Sequence, residues 1–313
     1  MREKKPYGER TRLNDSDTPK RKYILAYEGK DTEPIYFNMI DNKKTELGID
    51  SLVVLSPIIR SFSEDGWSHP KKIAEAIVET LEIQKSGDYP YETIINWIAE
   101  YLNSNDIVKI ECEKIQSELQ NMCKNELSIS LSDTIDFENL DNEIERILNC
   151  YINSDEAIKV DDLIEYAKSI IKDNTITFDP TIDHLCLIVD RDCKSFKSDQ
   201  YDQVMHICDD NSIDLYVTNP CFEFWLLLHF DNVIDIDQFK LLENKKDKGR
   251  TFAEIELRNR MTYTKSAYNA NTLFRKIPNA IANEKKFCEE LVGLKTSIGS
   301  NIGILLSQMQ ELE

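Results

Sequence analysis

The chain has 313 residues, 41% hydrophobic and 30% charged with nine Gly and nine Pro, which suits one large or two ordinary domains and excludes a disordered or low-complexity polypeptide. Its 38 basic and 57 acidic residues leave a formal net charge of −19, which excludes a protein held on nucleic acid or anionic membrane by overall charge. Any polyanion must meet a local basic surface or a bridging metal.

Residues 1–21 read as a basic flexible arm: residues 1 to 22 hold eight Lys or Arg against four Asp or Glu and almost nothing apolar, as expected of a segment that touches phosphate or of a solvated tail. The segment 22–86 changes character. KYILAY is a short apolar run of β-formers from Lys22, EGKDTE a turn, and PIYFNMIDNKKTEL a helix by its apolar spacing. SLVVLSPII, 51–59, predicts a second buried strand, and Pro70 opens a helix through KKIAEAIVETLEI. The segment 87–180 reads as an acidic α-helical insertion, with helices expected at 91–103, 106–125, 138–153 and 160–172 and no buried strand; residues 91–180 carry 20 acidic and 7 basic side chains. An α/β pattern resumes over 181–243 with the strand HLCLIVD at 184–190, an amphipathic helix near 199–210, the strand DLYVTN and the almost wholly apolar PCFEFWLLLHF, a buried helix. The last segment, 244–313, is basic and then helical, with nine basic and three acidic residues between 244 and 276.

Strands alternating with helices predict an α/β fold, a parallel sheet with helices on both faces, in which ligands collect at the carboxyl ends of strands. There the chain places Glu28, after the first strand, and Asp190 and Asp192, after the third. Clustered carboxylates repel unless a cation intervenes, and Mg²⁺ suits carboxylates, waters and phosphate oxygens together. A D-x-D pair alone is common and is more often explained by a solvated turn. The eight cysteines form no C-x-x-C pair and the four histidines no H-E-x-x-H, so a zinc site is not expected. The N-terminus lacks the apolar core of a signal peptide and no run of about 18 apolar residues could span a bilayer, so a cytoplasmic location without membrane contact is expected.

The runs YILAYEGKDTEPIYF, SHPKKIAEAI, LCLIVDRDCKSF and TNPCFEFWLLLHF together resemble the RloB family, also called AbiLii-like, of bacterial phage-defence proteins. The resemblance covers about 22–85 and 180–232, the C-terminal region more loosely, and leaves out the acidic helical segment. It implies a Toprim (Rossmann-like) fold and a nuclease acting on DNA or RNA, tRNA included, with Mg²⁺ or Mn²⁺. It makes Glu28 the Toprim glutamate and Asp190 with Asp192 the paired aspartates, as catalytic residues and metal ligands. Glu33 matches the second Glu of the family's E-G-x-x-T-E string; it is a further ligand or a first-turn carboxylate complementing the helix dipole. Lys265 corresponds to a lysine that neutralises the transition state in related nucleases, or is a surface phosphate contact.

Around this cluster, Gly29 suits a tight turn and close phosphate approach, and Thr32 caps the helix or contacts ligand. Asn219 is placed with the substrate-binding residues, and Glu223, in an apolar helix, must be paired, metal-bound or protonated. His229 on the same helix reads as a satisfied core histidine. Lys245, Lys246 and Arg250 offer the phosphate path. The chain has no G-x-x-x-x-G-K-[ST], and the resemblance implies an AAA or SMC-like ATPase as the partner that controls the nuclease. The insertion is then a docking, self-association or shielding element, or a decoration. The competing reading is a non-catalytic or signal-binding Toprim subunit of a defence complex.

Overall fold

Three apolar runs without a polar face, 22–27, 184–190 and 213–219, lie side by side in the middle of one sheet, as strands covered on both faces must. The computed structural model describes residues 21–29, 31–49, 54–57, 69–86, 88–104, 112–136, 139–152 and 181–310. Strand β1 (Lys22–Tyr27) leads into helix α1 (Thr32–Lys43), strand β2 (Val54–Pro57) and helix α2 (Pro70–Ser86). Then come β3 (Asp88–Pro90), α3 (Tyr91–Ser104), α4 (Cys112–Asn125), β4 (Thr134–Asp136) and α5 (Leu140–Ile152). Strand β5 (His184–Asp190), helix α6 (Ser198–Asp210), strand β6 (Ile213–Asn219) and helix α7 (Phe222–Leu227) complete the central layer.

The strand order is β2-β1-β5-β6, all parallel, extended at the β6 edge by a short antiparallel strand, β11 (Gly299–Ser300). Side chains alternate faces along each strand. Tyr23, Leu25, Tyr27, Cys186, Ile188 and Tyr216 pack under α1 and α7, while Ile24, Ala26, Leu185, Leu187, Val189 and Val217 pack under α2 and α6. This two-faced burial is the α/β arrangement expected from the sequence. Beyond the two-residue β11, Asn301 takes over the edge: its side chain accepts from Val217 N (2.6 Å) and donates to the Leu215 carbonyl (3.2 Å), as a strand backbone would.

The acidic segment has its own apolar cluster, in which Ile94, Ile98 and Leu102 of α3 meet Ile115 and Leu119 of α4 and Ile144, Ile147 and Leu148 of α5. It also contains the antiparallel pair β3–β4, where no strand was expected; three half-exposed residues per strand leave no apolar run to read. The helix expected at 160–172 and the basic arm, apart from Arg21, lie outside the described residues.

The C-terminal region departs further from a simple helical reading. After α8 (Gln238–Glu243) it makes the hairpin β7 (Lys246–Asp247) and β8 (Arg250–Thr251), then α9 (Phe252–Arg258) and a second hairpin, β9 (Tyr263–Thr264) and β10 (Ala267–Tyr268). Helices α10 (Asn271–Phe274), α11 (Ile277–Glu284), α12 (Leu291–Leu294) and α13 (Ile302–Gln310) follow. Strands of two residues are too short to show a period of two. Among the described residues no helix is long and apolar enough to cross a membrane.

At the end of α11 the Glu284 side chain is fully buried and accepts from Gly303 N (3.0 Å); a Cβ on residue 303 would strike this carboxylate. Burial pushes the Glu284 pKa up to about 8, against the opposing pull of the Gly303 amide and the Ser300 hydroxyl. A carboxyl raised on folding makes the native state bind the extra proton, so stability falls as pH rises from the ordinary carboxylate range to about 8. Glu284→Gln is therefore expected to flatten that fall, with a melting midpoint at pH 8.5 closer to its pH 5.5 value than the parent's by at least ~2 °C. Parallel pH profiles for the two proteins would refute it.

Candidate functional site

Two strand ends and the starts of two helices bring four carboxylates together. Glu28 continues the β1 ladder, its amide donating to the Ile188 carbonyl (3.0 Å), and its Oε2 accepts from the Asp190 amide (2.9 Å). Asp190 is the last residue of β5, and its Oδ1 accepts from the Thr218 hydroxyl of β6 (2.9 Å). Glu33 stands in the first turn of α1 and Glu223 in the first turn of α7, both buried.

Glu33 folds back over the chain, where its Oε1 accepts from the Gly29 amide (3.1 Å). A Cβ on residue 29 would occupy the space of that carboxylate, so close packing demands glycine there. Gly29 was expected to serve a tight turn or a phosphate; its φ is not positive, and the group that approaches it is Glu33. The dipole reading of Glu33 is satisfied by its first-turn position, yet the side chain also faces the other carboxylates.

The electrostatics reflect this crowding. Asp190 is raised well above the usual carboxylate range by burial, then by Glu28, Glu33 and Glu223, with Thr218 opposing. Glu33 is pushed up to about 7 by burial and by Glu223, against its bonds to the Gly29 amide and the charge of Lys265. Lys265 supplies the cation: its Nζ lies 3.5 Å from Glu223 Oε1, and its pKa is raised by Glu223 first and also by Asp190. It is 61% exposed, so it closes the cluster on the solvent side.

Asp192 stands apart. The chain turns as soon as β5 ends, and Asp192 is exposed with its Oδ1 accepting from the Lys194 amide (3.0 Å) while its carbonyl accepts from the Ser195 and Phe196 amides. The expectation that the two aspartates project together is not met, and the physical reason is Arg191 between them. Arg191 is buried; its guanidinium donates to the carbonyls of Lys295 and Phe196 and stacks over Tyr201 (5.2 Å), on the side of the sheet covered by α6. Fixing this middle residue inward leaves Asp192 on the outer turn.

Thr32 does not cap α1. Asp31 holds that position, and the Thr32 hydroxyl donates to the Lys265 carbonyl (3.2 Å) and lies 3.4 Å from the Tyr263 hydroxyl. Asn219 is fully buried, with its amide on the Leu294 carbonyl (2.8 Å), so it lies beneath the site and not on its surface. His229 is the core histidine expected: Nδ1 donates to the Trp225 carbonyl (3.1 Å), Nε2 accepts from Tyr36 (3.0 Å), and burial lowers its pKa to about 3. The hairpin β7–β8 carries Lys245, Lys246 and Arg250 on the surface; Lys245 pairs with Glu243 (2.8 Å) and Arg250 with Glu254 (3.5 Å). Two residues before β7, the Asn244 side-chain amide donates to Cys221 Sγ (3.4 Å), one residue before α7 and two before Glu223.

Thr218, Tyr263 and Arg191 belong to this assembly and were not anticipated; Tyr268 lies outside it, anchoring the hairpin through the Thr32 carbonyl (2.8 Å). Thr218 had a signal, a hydroxyl beside Asn219 at the end of a mostly apolar strand; Tyr263 had one in its spacing of two from Lys265. The donor set is chemically suited to a hard divalent cation, which favours carboxylate oxygens and would reverse the upward shifts of Asp190 and Glu33. Among the described residues, no three His, Cys, Asp or Glu are grouped closely enough to hold an ion as they stand.

The RloB-like protein family matches residues 133–309, over half of the chain, and the chain belongs to that family. The matched stretch contains Asp190, Asp192, Glu223 and Lys265 and excludes Glu28 and Glu33. It also runs through the latter part of the acidic segment, from which the likeness was expected to be absent. No curated protein and no solved structure matches the chain significantly.

The contact of Glu33 with Gly29 has a direct test in urea unfolding. Gly29→Ala is expected to cost about 1–3 kcal/mol, as overpacking does, and to lose most of that cost in a Glu33→Ala background. An equal cost in both backgrounds would place Glu33 elsewhere in solution.

Proposed function

We propose that this chain is a divalent-metal-dependent nuclease of Toprim type, acting on nucleic acid phosphodiesters in anti-phage defence under the control of a partner ATPase. The observation that carries this reading is the gathering of Glu28, Glu33, Asp190 and Glu223 around parallel strand ends with Lys265 at their open side. The family membership and the E-G-x-x-T-E and D-R-D strings support it, and the partner ATPase is what the family resemblance implies.

Asp190 and Glu28, with Glu33 or Glu223, would hold Mg²⁺ or Mn²⁺ in this reading. When bound, the ion supplies an activated water and charge stabilisation at the phosphate. The chain's own groups do the rest. Thr218 orients Asp190, and the Asp190 amide orients Glu28. Lys265 stays protonated, since both its neighbours are acidic, and stands where a phosphate oxygen can meet it. The basic stretch 244–276 offers the route for the strand, whereas the acidic segment 91–180 repels it. Asp192 joins only by leaving its bond to Lys194, as a ligand-induced rearrangement of an exposed turn.

A second reading is favoured by one observation: with Asp192 turned away and no three carboxylates grouped closely among the described residues, a signal-binding or non-catalytic subunit is also served by this geometry. Cleavage of single-stranded DNA, duplex DNA and tRNA with Mg²⁺ or Mn²⁺ decides between them. Asp190→Asn keeps the acceptor for Thr218 and is expected to abolish both cleavage and Mn²⁺ binding by calorimetry. Metal binding and cleavage that survive the substitution would end the proposal. Charge reversal of Lys245, Lys246 and Arg250 together is expected to weaken nucleic-acid binding and flatten its salt dependence; unchanged slopes would move the path to another face.

A further inference from the structure

We infer that Tyr263 is a positioning residue for this site, holding Glu223 from the buried side so that the Lys265 ammonium is left between Glu223 and Asp190; the inference rests on the nuclease reading above. Tyr263 is the first residue of β9 and Lys265 follows that strand in the turn of the hairpin. Both reach one oxygen. The Tyr263 hydroxyl donates to Glu223 Oε1 at 2.9 Å, and Lys265 Nζ lies 3.5 Å from the same atom.

The two partners differ in burial: Tyr263 is 2% exposed and the Lys265 side chain 61%. A buried carboxylate needs its acceptors filled. Because the phenol fills this one at short range, the ammonium stays at a longer contact and its charge is also felt by Asp190. Removing the hydroxyl leaves the Cys221 thiol and Lys265 beside the Glu223 carboxylate, and the charge-assisted bond, stronger than the thiol's, draws Lys265 inward, away from Asp190. Tyr263 is itself braced, since Thr32 Oγ1 lies 3.4 Å from its hydroxyl and donates to the Lys265 carbonyl, while Tyr268 donates to the Thr32 carbonyl (2.8 Å) from the other strand of the hairpin. Tyr268 therefore anchors the hairpin without touching Glu223, which makes it the control.

Tyr263→Phe, Tyr268→Phe, Lys265→Met and the double variant Tyr263→Phe/Lys265→Met are compared in the full chain for melting midpoint, kcat, KM and Mn²⁺ affinity. Tyr263→Phe is expected to lower kcat roughly five- to tenfold with KM retained, the scale of one hydrogen bond. In the Lys265→Met background the same change has little further effect. Tyr268→Phe shifts the melting midpoint and leaves kcat alone. Full activity in Tyr263→Phe, a loss that adds to that of Lys265→Met, or equal effects of the two Phe variants would overturn the inference and leave the nuclease reading standing. If the parent chain cleaves nothing, the nuclease reading fails, and Mn²⁺ calorimetry decides the inference: weaker binding in Tyr263→Phe but not in Tyr268→Phe upholds it, and unchanged binding, or none in the parent, overturns it.

Discussion

Mutual repulsion among Glu28, Glu33, Asp190 and Glu223 is the constraint around which this end of the molecule is arranged. Like charges confined among apolar side chains raise one another's pKa, and the upward shifts of Asp190 and Glu33 record it. Neighbouring hydrogen-bond donors answer that repulsion one carboxylate at a time. The Asp190 amide serves Glu28, Thr218 serves Asp190, Gly29 serves Glu33 and Tyr263 serves Glu223. Three of these four donors come from elements other than the one that carries the acid, so the charge cluster also ties strand ends, helix starts and hairpin together.

The sheet makes that arrangement stiff. With both faces of β1, β5 and β6 buried, none of these strands can slide by one residue without turning apolar side chains to the wrong layer. Glu28 and Asp190 inherit their positions from that register. Arg191 extends the same logic one residue further, since its stacked guanidinium anchors the turn after β5 and thereby sends Asp192 outward.

What could be read directly from the sequence followed from periodicity and from strand ends. The runs KYILAY, HLCLIVD and DLYVTN announced central strands because continuous apolar residues leave no solvent face, and Glu28 and Asp190 followed from where those runs stop. Glu223 and His229 stood out as two polar residues in an apolar helix, and each has the partner that burial demands. Tertiary contacts were another matter. The link between Thr32 and the hairpin joins residues more than 230 positions apart, and no local pattern encodes it. The outward turn of Asp192 could not be read because a D-x-D spacing says nothing about which way the middle residue points. The hairpins β7–β8 and β9–β10 have strands of two residues, shorter than any periodicity can register.

That long-range link bears on the life of the newly made chain. Glu28 leaves the ribosome well before Lys265, so at ordinary rates of synthesis about 10 to 50 seconds separate the first acid from its cation. For about the first two thirds of that interval β1 also lacks β5, its neighbour in the middle of the sheet. The central sheet therefore waits for β5 and β6, and the site waits longer still, for the hairpin that brings Lys265. A nascent chain of this design carries the acids but not the finished constellation, and any activity that depends on Lys265 is withheld until the hairpin that carries it has emerged.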